Sequence, residues 1–189
     1  MKIEHPKLVK LLQLAYSAEK AAAFAYIGHA NSVKNPDEKA AINQIERDEW
    51  HHRETVLSLM RQYDIAVSRY NETKYHIIGR IISLGCHVIG WFMPYYFAGR
   101  LESGNVCEYF VMMRYFNELG ITEHDDVLYE MAIKEKEHEV YFQQRIENNW
   151  LLPIFERIFG WGNKSSFNDV DLANKSAVNA SKAYCQHRK

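Results

Sequence analysis

Residues 42–60 read INQIERDEWHHRETVLSLM. Their apolar positions Ile42, Ile45, Val56 and Leu59 continue one another at steps of three and four once Glu49 and His52 are counted into the same stripe. That period is helical, and it predicts a helix over 36–63 opened by Asn35-Pro36. Glu49 and His52 are the polar members of an otherwise apolar seam. A spacing of three places a carboxylate and an imidazole on one helix face, one turn apart, where both can bind one metal ion. The only other Glu-x-x-His is Glu135-Lys-Glu-His138. It interrupts a second seam, Leu128, Met131 and Phe142, in a predicted helix over 123–148 that follows a break at Gly120.

Upstream of each motif lies a helical stretch with an inward glutamate. The first is predicted over 6–32, with Leu8, Leu12, Ala15, Glu19, Ala22 and Tyr26 on one face. The other is predicted over 101–119, with Gly104, Glu108, Val111 and Tyr115 inside. Glu19 precedes Glu49 by 30 residues and Glu108 precedes Glu135 by 27. Such gaps fit two antiparallel helix pairs with short turns. Glu102 and Glu118 compete with Glu108 for the third inward position, and Glu108 has the more apolar neighbours. Glu46, one turn before Glu49, reads as exposed. Residues 71–99 are too long for a turn and long enough to cross a bundle from end to end. The expected fold is therefore all-α: a four-helix bundle over 1–162, with a long crossover between its second and third helices, followed by a polar tail over 163–189.

Burial decides how the six polar positions are read. A lone Glu-x-x-His in a chain with 9 histidines is a weak signal, more often a solvated face. Two of them on apolar seams, each with an upstream glutamate, are another matter. Four carboxylates gathered in one core would repel strongly, and each costs several kcal/mol if buried unpaired. Two divalent cations supply the compensating charge. The candidate metal ligands are thus Glu19, Glu49, His52, Glu108, Glu135 and His138. Mixed carboxylate and imidazole donors suit iron, with manganese an alternative, and the lack of thiolates disfavours structural zinc.

Composition narrows the classes further. Lys plus Arg is 23 and Asp plus Glu is 24, so there is no basic field for nucleic acid. The 189 residues are 47% hydrophobic, enough for a core, which excludes wholesale disorder. Cys86, Cys107 and Cys185 are an odd number without CxxC spacing. They read as thiols of a reducing compartment, Cys107 as an ordinary buried one, and the N-terminus has no signal-peptide pattern. No flavin, haem or iron–sulfur motif is visible, so electrons would come from an external donor.

The motifs resemble the ferritin-like di-iron superfamily, and within it they are most similar to the demethoxyubiquinone hydroxylases. Glu19 is followed by Tyr26 and Gly28 (EKAAAFAYIGHA), and Glu108 by Tyr115 and Asn117 (EYFVMMRYFNEL), spacings that resemble that family over roughly residues 10–145. The resemblance implies a ferritin-type bundle and a di-iron oxidoreductase that activates O2, a monooxygenase acting on a small apolar substrate, quinone-like or long-chain. It also implies Glu49 and Glu135 as bridging carboxylates. Tyr26 and Tyr115, two turns from a ligand glutamate, are candidates for hydrogen bonds to the ligands, for electron transfer, or for plain packing. Rubrerythrin-type proteins are similar too, but they carry a further glutamate where this chain has Val111. A non-enzymatic ferritin-like storage protein, a peroxidase or oxidase, and an aldehyde-deformylating oxygenase are the remaining readings of the same ligand type.

Two apolar stretches stand apart. Residues 81–99 (IISLGCHVIGWFMPYYFAG) hold no Asp, Glu, Lys or Arg, yet His87 and Pro94 interrupt them and the aromatic residues suit an interface. A crossover helix buried against the bundle is the first reading, a peripheral membrane contact the second and a span the third. Residues 150–161 read as a fifth capping helix, a contact in a homodimer, or another interfacial element. The expected location is cytoplasmic, with attachment to the inner membrane as the variant.

Overall fold

The computed structural model of the chain describes residues 3–161 and residue 185. All regular structure among them is helical: α1 Pro6–Ser32, α2 Pro36–Gln62, α3 Arg69–Gly85, α4 Phe92–Glu118, α5 Asp125–Ile146 and α6 Leu152–Phe159. The expected all-α class holds. The helices group into two compact units, Met1–Pro94 and Tyr95–Lys189.

In the first unit the helix starts follow from local chemistry. Nδ1 of His5 accepts from the Leu8 amide and Pro6 occupies the first turn of α1. Asn35 accepts from the amides of Asp37 and Glu38 ahead of α2. Residues 33–35 are too few for anything but a reversal, so α1 and α2 run antiparallel, with Arg53 donating to the Tyr16 carbonyl and lying 3.6 Å from the Tyr16 ring centroid. The whole stripe Ile42, Ile45, Glu49, His52, Val56, Leu59 is buried.

α3 then runs parallel to α1, bringing Gly79 beside Ala21 and Gly28 beside Ser83. Glu72 at its start ties three helices together, accepting from Arg53 (3.0 and 2.8 Å), Ser17 (2.9 Å) and Lys20 (3.2 Å). Burial pushes this carboxyl up, but the hydrogen bonds from Arg53, Ser17 and Lys20 outweigh it and hold the group below its usual value.

Near the end of α1, burial pushes the His29 imidazole down to about 4. An unfolded histidine takes its proton near 6.5, so the folded state is favoured fully above that pH and progressively less as pH falls toward 4. By pH 5 the metal-free protein should have lost about 2 kcal/mol relative to pH 8 through this residue. Urea midpoints at the two pH values measure the loss. A His29→Gln variant with an undiminished pH slope would assign it elsewhere.

In the second unit α4 and α5 are antiparallel. Asn117 donates to Asp125 at 2.7 Å and the Phe116 and His124 rings lie 4.8 Å apart near the turn. Tyr95 and Phe142 meet at the far end, 6.0 Å apart. The predicted seam of α5, Leu128, Met131, Glu135, His138 and Phe142, is buried throughout. α6 docks on the first turns of α4: Tyr96 donates to the Gly160 carbonyl at 2.7 Å, and Phe155 sits 5.2 Å from the Tyr96 ring.

Three expectations change. α4 starts at Phe92 rather than 101, because Phe92–Gly99 belongs to that helix and not to a connection. The stretch 81–99 is therefore two things: an exposed end of α3 with its following loop, and a buried start of α4. No described helix is long and apolar enough to cross a membrane. Cys107 is not a plain thiol but is disulfide-bonded to Cys185, 78 residues away, while Cys86 remains a free buried cysteine. A bond over that separation leaves no local spacing signal. The polar tail otherwise lies outside the described residues.

Candidate metal centre

Each unit assembles a group of two carboxylates and one imidazole. In the first, Glu19 comes from the middle of α1, and Glu49 and His52 from the middle of α2. Antiparallel packing sets residue 19 level with 49, and the i, i+3 spacing brings His52 onto the same face. One ligand atom from each lies within 4.8 Å of the others. Their exposures are 4%, 0% and 3%. With the imidazole neutral, this group carries a formal charge of about −2 in a space that water does not reach.

The second group consists of Glu102 from α4 and Glu135 and His138 from α5, again with one atom of each within 4.8 Å of the others. Glu102 and Glu135 are completely buried and His138 is 3% exposed. Asn105, one turn after Glu102, donates to Oε2 of Glu102 at 3.0 Å and to Oε2 of Glu135 at 3.3 Å. Its amide thus fixes one oxygen of each carboxylate. His138 Nδ1 stands 4.0 Å from Glu135 Oε2.

Five of the six expected ligands, Glu19, Glu49, His52, Glu135 and His138, fall in these groups. The sixth expected position, Glu108, is half-buried and lies in neither group among the described residues. Glu102 stands in its place. Six residues along an α-helix turn the side chain about 120° away from the starting face, so the two glutamates cannot serve the same site. The stripe that points inward is Glu102, Val106, Tyr109, Met113 and Phe116, all buried. It steps by four and three as cleanly as the stripe of α2. Placing the helix start at 101 puts Glu102 in a first turn and hides that reading. Tyr26 is buried and Tyr115 half-buried. Glu46 is half-buried and accepts from Trp50 at 2.8 Å, and Glu118 is exposed.

Burial alone does not make a ligand. Glu139 is as buried as Glu135, but Lys136 pairs with it at 2.8 Å and Trp161 donates to it at 2.9 Å. Its charge is answered by side chains of the same unit, so it is a structural ion pair. In the two groups the donors are carboxylate oxygens and imidazole nitrogens without sulfur. Each set could hold a metal ion, whose charge would offset the local negative charge.

No protein-family model, curated protein or solved structure matches the chain.

Proposed function

We propose that the chain is a di-iron oxidoreductase that activates O2 to oxidise a small apolar substrate. One cation is held by Glu19, Glu49 and His52 and the other by Glu102, Glu135 and His138. The observation that carries the reading is the duplication: the two Glu-x-x-His motifs each find one further buried glutamate within ligand distance. In this reading α1, α2, α4 and α5 are the four helices of a ferritin-type bundle and α3 is its crossover. The resemblance to the ferritin-like superfamily, and to demethoxyubiquinone hydroxylases in particular, adds Glu49 and Glu135 as bridging carboxylates.

Reduced iron would supply the electrons for O2 reduction, chemistry that no side chain of the chain performs. The residues themselves do the rest. Glu19, Glu49 and His52 would hold one cation and Glu102, Glu135 and His138 the other, each among buried side chains. Asn105 holds Oε2 of both Glu102 and Glu135, which leaves their other oxygens to the cation and fixes the carboxylate planes. Phe142, Met131, Val56 and Leu59, buried next to the ligands in sequence, keep bulk water out and offer apolar surroundings to a substrate.

Anaerobic titration of metal-free protein with Fe(II) should saturate at two ions per chain. Glu102→Gln should weaken binding of one of them by at least about tenfold, whereas Glu108→Gln should leave both sites intact. Reoxidation by O2 in the presence of an apolar co-substrate should exceed reoxidation by peroxide. One ion or none per chain, or a Glu108 variant that loses metal while the Glu102 variant keeps it, would overturn the assignment.

A further inference from the structure

The two ligand groups are alike in composition but differ in what stands one turn further along. After Glu102 that residue is Asn105, whose amide nitrogen donates to Oε2 of Glu102 at 3.0 Å and to Oε2 of Glu135 at 3.3 Å. After Glu19 it is Ala22, which has no polar side-chain atom. An ionised carboxylate only accepts, so the nitrogen end of the Asn105 amide, with its two hydrogens, is the end that faces the pair. One donor group thus answers two negative charges from two helices, α4 and α5. Asn105 is half-buried, whereas both glutamates are completely buried.

Two effects of this bridge on metal binding oppose each other. Each hydrogen bond draws electron density from a ligand carboxylate and makes it a poorer donor to a cation. Against that, the bridge holds two like charges together before a cation arrives, so less of the binding free energy goes into gathering and orienting them. A cation drawing on Oε2 would also compete with the amide for the same lone pairs, which favours the Oε1 side of both carboxylates. The magnitudes decide for the second effect: removing a hydrogen-bonding partner of metal ligands costs about 10- to 100-fold in affinity. With Ala22 in the corresponding place, α1 makes no such contribution at that position to the Glu19 group.

We infer that Asn105 is a positioning residue that makes the two sites unequal, so that Glu102, Glu135 and His138 take up the first cation and Glu19, Glu49 and His52 the second. This rests on the two-cation reading above. Mn(II) added to the metal-free full chain, with the unbound ion followed by electron paramagnetic resonance, should bind in two steps whose dissociation constants differ by about tenfold or more. Asn105→Ala should weaken the tighter step by about tenfold or more and leave the looser one unchanged, so that the two merge. Asn105→Leu keeps the bulk of the side chain and removes its donors. It should behave as the alanine variant does, whereas a residue acting by packing alone would be rescued by leucine. Infrared difference spectra at one equivalent of Mn(II) give an independent reading. In the wild type the antisymmetric and symmetric carboxylate stretches should show the wide separation of one-oxygen ligation. In both variants that separation should narrow as Glu102 and Glu135 become able to bind through both oxygens. Unchanged helical circular dichroism of the metal-free leucine variant shows that the fold is kept. Equal constants for the two ions in the wild type, or an Asn105→Leu protein that keeps the tighter step, would overturn the inference and leave both sites standing. So would an Asn105→Ala protein that loses the looser step instead. A wild type that binds no Mn(II) would overturn the two-cation reading itself, and the role of Asn105 with it.

Discussion

Replacing Glu135 with leucine should leave the metal-free protein at least as stable as the wild type and remove the share of metal stabilisation that comes from the Glu102, Glu135 and His138 site. Glu135 is fully buried, within 4.8 Å of ligand atoms of a second carboxylate and an imidazole. In the absence of a cation, its ionised form suffers both desolvation and repulsion from Glu102, and an apolar residue of similar volume removes both costs. Such exchanges are neutral or stabilising by about 1–4 kcal/mol. Asn105 keeps Glu102 as an acceptor, so its amide is not orphaned. With metal the order reverses. At a free concentration 100-fold above Kd, a cation that binds only the folded state adds about 2.7 kcal/mol, a rise in Tm of roughly 5–10 °C for a domain of this size. Thermal unfolding under argon, with and without Fe(II) or Mn(II), reads both halves. A wild type indifferent to metal would remove the metal centre from this protein, and a Glu135→Leu variant that responds as fully as the wild type would remove the Glu102, Glu135 and His138 site. An ordinary core residue would behave oppositely, losing stability in both conditions.

The second large effect is expected at Gly28. A Cβ there would stand 2.2 Å from the carbonyl oxygen and 2.5 Å from the Cα of Ser83. The obstructing atoms are main chain, so no side-chain rotation relieves the clash and α3 must move away from α1. Gly28→Ala should cost about 3 kcal/mol or more, at the upper end of overpacking. Gly79 makes the same close approach from the other helix: a Cβ on it would meet the Ala21 Cα at 2.7 Å. Gly85, at the end of α3, has nothing within 4 Å of where an alanine methyl would stand, and Gly85→Ala should be neutral or gain the helix propensity of alanine. Urea midpoints of the three alanine variants test the pattern. A Gly28→Ala protein as stable as Gly85→Ala would mean that α3 is not seated on α1 in solution.

The contrast between these two sites marks what is legible in the chain. At Glu135 the signal is local: a glutamate and a histidine three apart inside an apolar seam are readable without coordinates, as are Glu49 and His52. Glu19 is readable because 33–35 is too short to do anything but reverse the chain, which fixes register. Glu102 is harder to single out, although its own stripe through Val106, Tyr109 and Met113 is present in the sequence. α4 is apolar around much of its surface, so periodicity points to several faces at once, and the stretch 81–99, free of Asp, Glu, Lys and Arg, runs through Phe92 and disguises the helix start. Gly28 falls within a motif notable only for its spacing; that its missing side chain admits another helix depends on a neighbour 55 residues away.

Helix identity, the α1–α2 reversal and the concentration of acid and imidazole in apolar seams follow from near-neighbour chemistry: caps, a period of 3.6 residues, and the cost of desolvating charge. Which face of α4 turns inward, the path of α3 along α1, the bond from Cys107 to Cys185 and the exposure of the end of α3 were settled by packing. Those are choices between alternatives of nearly equal local energy, and only contacts between residues distant in the chain separate them.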